Sequence, residues 1–147
     1  MSTKKTQDEA QIRELIGEWV RAMHAKDVDQ LMSLYTPDIL VFDLAPPLQQ
    51  QGAAAHRQNW EAWLPTFEGP VEVEVRDLRI SADGDVGFSH SLNRIRGTKK
   101  SGEMADLWAR VTVGFRKVDG KWLACHEHVS VPFYMDGSFK AAVDLQP

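Results

Sequence analysis

The sequence predicts an α+β domain in which three helices pack on one side of a curved, mainly antiparallel sheet. Three observations predict it. Apolar residues recur at helical spacing up to Trp63, and one short apolar strand, Ile39 to Phe42, interrupts them. From Val71 onward the period becomes an alternation. Turn signals at Asp83-Gly84, Lys99-Lys100-Ser101-Gly102 and Asp119-Gly120 divide that alternating stretch into four long strands that meander as hairpins. A bent sheet folded over helices leaves a cone with a closed bottom and a polar mouth, where ligand sites form.

The elements follow in order. Thr6-Gln7-Asp8-Glu9 fits a capping box, and behind it Ile12, Leu15, Ile16, Trp19, Val20 and Met23 form one apolar stripe. A short link, His24-Ala25-Lys26, leads to a second helix that starts at Asp27, turns Leu31, Leu34 and Tyr35 inward and stops at Pro37. The strand from Ile39 to Phe42 reads as buried on both faces and ends in Asp43. Pro46 and Pro47 hold the next loop extended, and Gly52 opens a third helix that carries His56, Trp60 and Trp63 and ends at Pro65. Val71, Val73 and Val75 share a face while Leu78 and Ile80 fall in the opposite phase, so a bulge belongs near Arg76-Asp77. No repeat, low-complexity tract or linker divides the chain. Residues 1–147 form one domain, its core about 8–133, with a polar N-terminal lead and a C-terminal tail.

The chain has 147 residues, 43% hydrophobic and 26% charged, the mix of an ordinary globular domain. A net charge of −4, with no basic patch beyond Lys4-Lys5 and Lys99-Lys100, argues against nucleic-acid binding. The polar start carries no apolar leader and no segment nears a bilayer-spanning length, so no membrane partner and a cytoplasmic location are expected. The lone Cys125 excludes an intrachain disulfide and reads as a small buried hydrophobe.

The helix pair, the run Lys26-Asp27-Val28-Asp29-Gln30-Leu31 with Leu34-Tyr35-Thr36-Pro37-Asp38, and the strand ending in Asp43 resemble the ketosteroid-isomerase-like, SnoaL-like group of the nuclear transport factor two superfamily. The C-terminal run from His126 to Phe133, after Asp119-Gly120-Lys121-Trp122, resembles the end of its bacterial members. The resemblance spans roughly residues 8–133 and implies a cone-shaped, cystatin-like barrel. In the steroid isomerases the carboxylate matching Asp43 is the general base, so the resemblance implies that Asp43 moves a proton beside a carbonyl. The positions of that family's two oxyanion donors carry Trp19 and Val111, so steroid isomerisation itself is not implied.

Chemistry then rests on a few residues. Asp43 is either a solvated strand end or a pocket carboxylate whose pKa burial would raise. Phe88, His90 and Leu92 share a face read as inward, which makes His90 either a satisfied core histidine or an acid–base partner of Asp43. Trp19, Met23, Trp60, Trp63 and Phe88 are expected to line an apolar site for a small apolar or aromatic molecule. Leu123, Cys125, Val129 and Val131 set the inward phase of the last strand. That phase places Glu127 inward, paired with Arg94 or Arg110 or joining the pocket, and His126 and His128 outward with Trp122. The two histidines lack an evident third metal ligand, so no metal is expected. Trp108, Arg110 and Thr112 oppose Leu107, Ala109, Val111 and Val113. With Trp122, His126 and His128 they suggest a homodimer through the sheet. The reading is a cofactor-independent isomerase, cyclase or dehydratase that acts by proton transfer on a small apolar carbonyl compound. The alternative is a non-catalytic ligand-binding or dimerisation module.

Overall fold

The computed structural model describes residues 3–147. Two helices open the chain, α1 (Thr3–Ala25) and α2 (Val28–Met32). Then come β1 (Tyr35–Phe42), a two-residue β2 (Gln50–Gln51) and α3 (Ala53–Trp63), which runs into a single tight turn, Leu64–Thr66. Four long strands complete the domain: β3 (Phe67–Asp83), β4 (Val86–Lys99), β5 (Met104–Val118) and β6 (Lys121–Ser130). All six strands form one sheet in the order β2-β1-β6-β5-β4-β3. Every pairing is antiparallel except β1 with β6, which is parallel.

The expected α+β order holds, with local differences. Thr6 lies inside α1 rather than capping it, because the helix already runs from Thr3. The second helix ends at Met32, not at Pro37, and β1 starts at Tyr35. A proline drives its preceding residue out of the helical region, so Thr36 and Tyr35 are already extended. The bulge near Arg76-Asp77 is present: the β3–β4 register shifts between Arg76 and Arg79, and Asp77 adopts a φ of 57°, which aspartate tolerates better than most residues.

The core lies between the helices and the inner face of the sheet, in two clusters. Ile12, Leu34, Ile39, Val41, Phe115 and Trp122 belong to one; Met23, Leu31, Leu64, Phe67 and Val71 belong to the other. Gly97 of β4 is required by the second cluster, since a Cβ there would sit 2.6 Å from the buried Phe67 ring. Trp19 of α1 touches both clusters. Between them the sheet stays unfilled.

Candidate active site

The gap is a cavity of about 510 Å³ bounded by α1, α3, the loop after β1 and the inner faces of β4, β5 and β6. Its floor is apolar: Ile95, Leu107, Val111, Val113 and Phe115 come from β4 and β5. Trp19, Trp60 and Trp63 form an aromatic wall. A cavity of this size suits a flat small molecule.

Polar chemistry concentrates where β6, β1 and α3 meet. Glu127 is flanked across the sheet by Val113 on β5 and Val41 on β1, so hydrocarbon lies on both sides of it. It is 8% exposed and faces the Tyr35 hydroxyl. Tyr35 Oη accepts a hydrogen bond from Trp19 Nε1 at 2.9 Å, which leaves its own proton for Glu127. His56, 2% exposed, sits on α3 with its ring edge-on to Tyr35 at 4.7 Å. Its Nε2 accepts from Trp60 Nε1 at 3.2 Å and lies 3.7 Å from Glu127 Oε2, while its Nδ1 is buried without a partner among the described residues.

Burial dominates the electrostatics of this cluster. It pushes the Glu127 carboxyl up to about 7, with the negative charge of Asp43 adding to the rise and the Tyr35 hydrogen bond opposing it. Burial also holds the His56 imidazole down to about 4, against an upward pull from Asp43. Tyr35 is raised well above the ordinary phenol value, first by burial and then by the neighbouring Glu127. No lysine or arginine among the described residues lines the cavity, so nothing there compensates a buried anion. Near neutral pH the arrangement offers a carboxyl poised between its two forms beside a phenolic donor. Proton transfer to and from an uncharged ligand needs such a pair.

The residues expected to act are distributed differently. Trp19, Met23, Trp60, Trp63 and Glu127 line the cavity. Asp43 also touches it, but from the rim: it is exposed, and its Oδ1 accepts from the Leu44 amide at 2.7 Å. It is therefore not sequestered from water. His90 and Phe88 lie on the outer face, Phe88 50% exposed, and neither reaches the cavity. Ser89, Ser91 and Asn93 line the cavity instead, with Ser91 Oγ donating to Asn93 Oδ1 at 2.8 Å. The phase of β4 is opposite to the expected one because a cavity wall, unlike a core, need not be apolar. The cross-strand partner of His90 is Thr112, already assigned outward, and that of Ser91 is Val111. Pairing the hairpin in sequence would have exposed the inconsistency.

On β6 a bulge accounts for another difference. Phe115 pairs with Ala124 and Gly114 with His126, so Cys125 is the extra residue. Trp122 and Ala124 before it point inward, as do Glu127 and Val129 after it. Trp122 is thus 3% exposed and unavailable to a partner. Leu123 and Cys125 do not join the inner set, and Arg94 and Arg110 bind Asp106 and Ser130 rather than Glu127. His126 contacts the Leu40 carbonyl at 2.8 Å, and Phe42 packs edge-on against both His126 and His128. Tyr35 and His56 were not among the expected site residues. His56, Trp60 and Trp63 recur at helical spacing on α3, and that stripe was the available signal.

Comparison with known proteins places this architecture. The description SnoaL-like domain matches residues 12–134. A solved NTF2-like protein of unknown function from Pseudomonas putida KT2440 is 36% identical, with a TM-score of 0.87 over 97% of this chain and 98% of that one. A proposed scytalone dehydratase from Novosphingobium aromaticivorans DSM 12444 is 16% identical, with a TM-score of 0.79 over 93% and 92% of the two chains. A Nostoc punctiforme PCC 73102 protein of unknown function with a cystatin-like fold is 19% identical, with a TM-score of 0.68 over 84% and 90%. Those two likenesses concern the fold. No curated protein matches the sequence. With a cone-forming sheet, an enclosed polar cluster and a family match across most of its length, the chain belongs to the SnoaL-like domain family of the NTF2-like superfamily.

Proposed function

We propose that this domain is a cofactor-independent isomerase or lyase that shuttles a proton on a flat, uncharged carbonyl compound through Glu127. One observation carries the reading: a buried carboxyl with no cationic partner among the described residues, raised by burial to about 7, faces a phenol inside an apolar cavity. Ionised Glu127 takes a proton from the carbon next to the carbonyl, and the Tyr35 hydroxyl, released from the neutralised carboxyl, turns its proton to the oxygen as charge moves onto it. The acid so formed returns the proton to another carbon, giving isomerisation, or to a departing hydroxyl, giving dehydration. Asp43 at the rim acts through its charge, and His90 takes no part. The dehydratase named among the structural neighbours is consistent with this chemistry.

The test uses α-tetralone, a flat ketone with exchangeable protons beside its carbonyl, in deuterated buffer. Deuterium should enter the ketone faster with the wild-type protein than with Glu127→Gln, while both bind it in a thermal-shift assay. Binding without exchange would leave the non-catalytic ligand-binding module as the reading. We also propose a homodimer through the outer sheet face, using Trp108, Arg110, His126 and His128 but not the buried Trp122. Sedimentation of the wild type against Trp108→Glu checks it.

A further inference from the structure

We propose that Trp60 locks His56 Nε2 as a hydrogen-bond acceptor and so denies Glu127 an N–H donor, and that this lock, beyond burial, keeps the empty site's carboxyl from settling as a fixed carboxylate, so that it can pass between acid and base on an uncharged ligand. The inference rests on the Glu127 reading above and specifies how that site is set.

The argument is one of donor and acceptor counting. An indole N–H can only donate. Trp60 Nε1 lies 3.2 Å from His56 Nε2, so that nitrogen must present its lone pair and the proton of the neutral ring must sit on Nδ1. Nδ1 is buried with no acceptor among the described residues, so this tautomer gains nothing from its own proton. Trp60 is what selects it. The same Nε2 lone pair lies 3.7 Å from Glu127 Oε2. That lone pair is already taken by Trp60, so a carboxylate there would face a nitrogen with no N–H to receive its charge, a cost the neutral acid avoids. Other groups acting on Glu127 do not reverse the bias. Tyr35 on β1 donates to it and favours the ionised form, but burial outweighs that, and Asp43, on the loop after β1, is negative and opposes ionisation. The β5 neighbour is Val113, and α1 contributes Trp19, which donates to Tyr35. The ligand class follows: a neutral ketone suits a site that accepts no fixed charge, while a carboxylate would add a further negative charge beside Asp43 with no cation among the described lining residues to receive it.

The test is a histidine tautomer measurement on the intact protein. Long-range ¹H–¹⁵N spectra between pH 5 and 8 should show wild-type His56 protonated on Nδ1 and bare on Nε2. In Trp60→Phe the ring should shift toward the Nε2–H form, and the ¹³C titration midpoint of the Glu127 carboxyl should fall by roughly one pH unit as that N–H donates to the carboxylate. A wild-type ring protonated on Nε2 overturns the lock, as does an unchanged Glu127 midpoint in folded Trp60→Phe. Should that variant not fold, the wild-type tautomer decides. The α-tetralone exchange assay is separate: exchange that depends on Glu127 with the wrong tautomer removes the lock alone.

Discussion

Among the described residues two carboxylates are buried, and they show opposite behaviour. Asp8 of α1, 4% exposed, receives Lys117 Nζ at 2.9 Å and Trp122 Nε1 at 3.1 Å on the same oxygen. The Lys117 hydrogen bond leads the effects that lower its pKa, and it stays ionised. Glu127, 8% exposed, has a phenol and an imidazole but no cation, and burial drives it the other way. The difference lies in the partners, not the burial. A carboxylate that meets an ammonium and an indole N–H ties α1 to β5 and β6 and is finished as a chemical group. One left among hydrocarbon and neutral donors holds a proton it can give away.

The comparison can be broken most directly at Glu127. Glu127→Gln should slow deuterium exchange into a bound ketone by roughly a thousandfold with little change in affinity. A comparable loss on mutating Asp43 instead would move the chemistry to the rim. Tyr35→Phe should cost about a hundredfold in the same assay, as expected for removal of one donor to a developing oxyanion. Stability should separate the two carboxylates. The folded Glu127 titrates near 7 against 4.5 for an ordinary glutamate, so between those values the native state holds a proton that the unfolded chain has released. Its contribution therefore falls as pH rises through that window, and Glu127→Gln should be the more stable protein at pH 8, by on the order of 3 kcal/mol, in urea unfolding. His56 works in the opposite sense. Its folded value of about 4 lies below the ordinary 6.5, so its contribution grows as pH rises between them, and Glu127→Gln should show that rising limb without compensation. Asp8→Asn should lower the Tm at pH 7 by roughly 5 °C, an effect that fades in acid, where a depressed carboxylate loses its advantage. The smallest effect belongs to His90→Ala, which should leave exchange unchanged because that ring lies outside the cavity.

Much of the fold was legible because the turn dipeptides, the helical stripe of α1 and the phase change at Arg76-Asp77 are local signals. The site was only half legible. Glu127 stood out as a carboxylate in an apolar phase, and the tryptophans marked the wall. His90 misled because an apolar face was equated with an inner face, whereas the inner face of β4 carries Ser89, Ser91 and Asn93. Tyr35 was hidden inside a helix that ends earlier. Asp43 carried the family pattern but not the enclosure, since the strand stops one residue short of it and the chain turns out toward solvent.

The extra residue at Cys125 has a consequence beyond its own position. Upstream of it β6 contributes Trp122 to the packed half of the domain; downstream it contributes Glu127 to the hollow half. Were Cys125 to take a regular place in the pairing instead of bulging, alternation from Trp122 onward would bury His126 and His128 and expose the carboxyl. The bulge thus decides whether the vessel has an acidic or an imidazole lining.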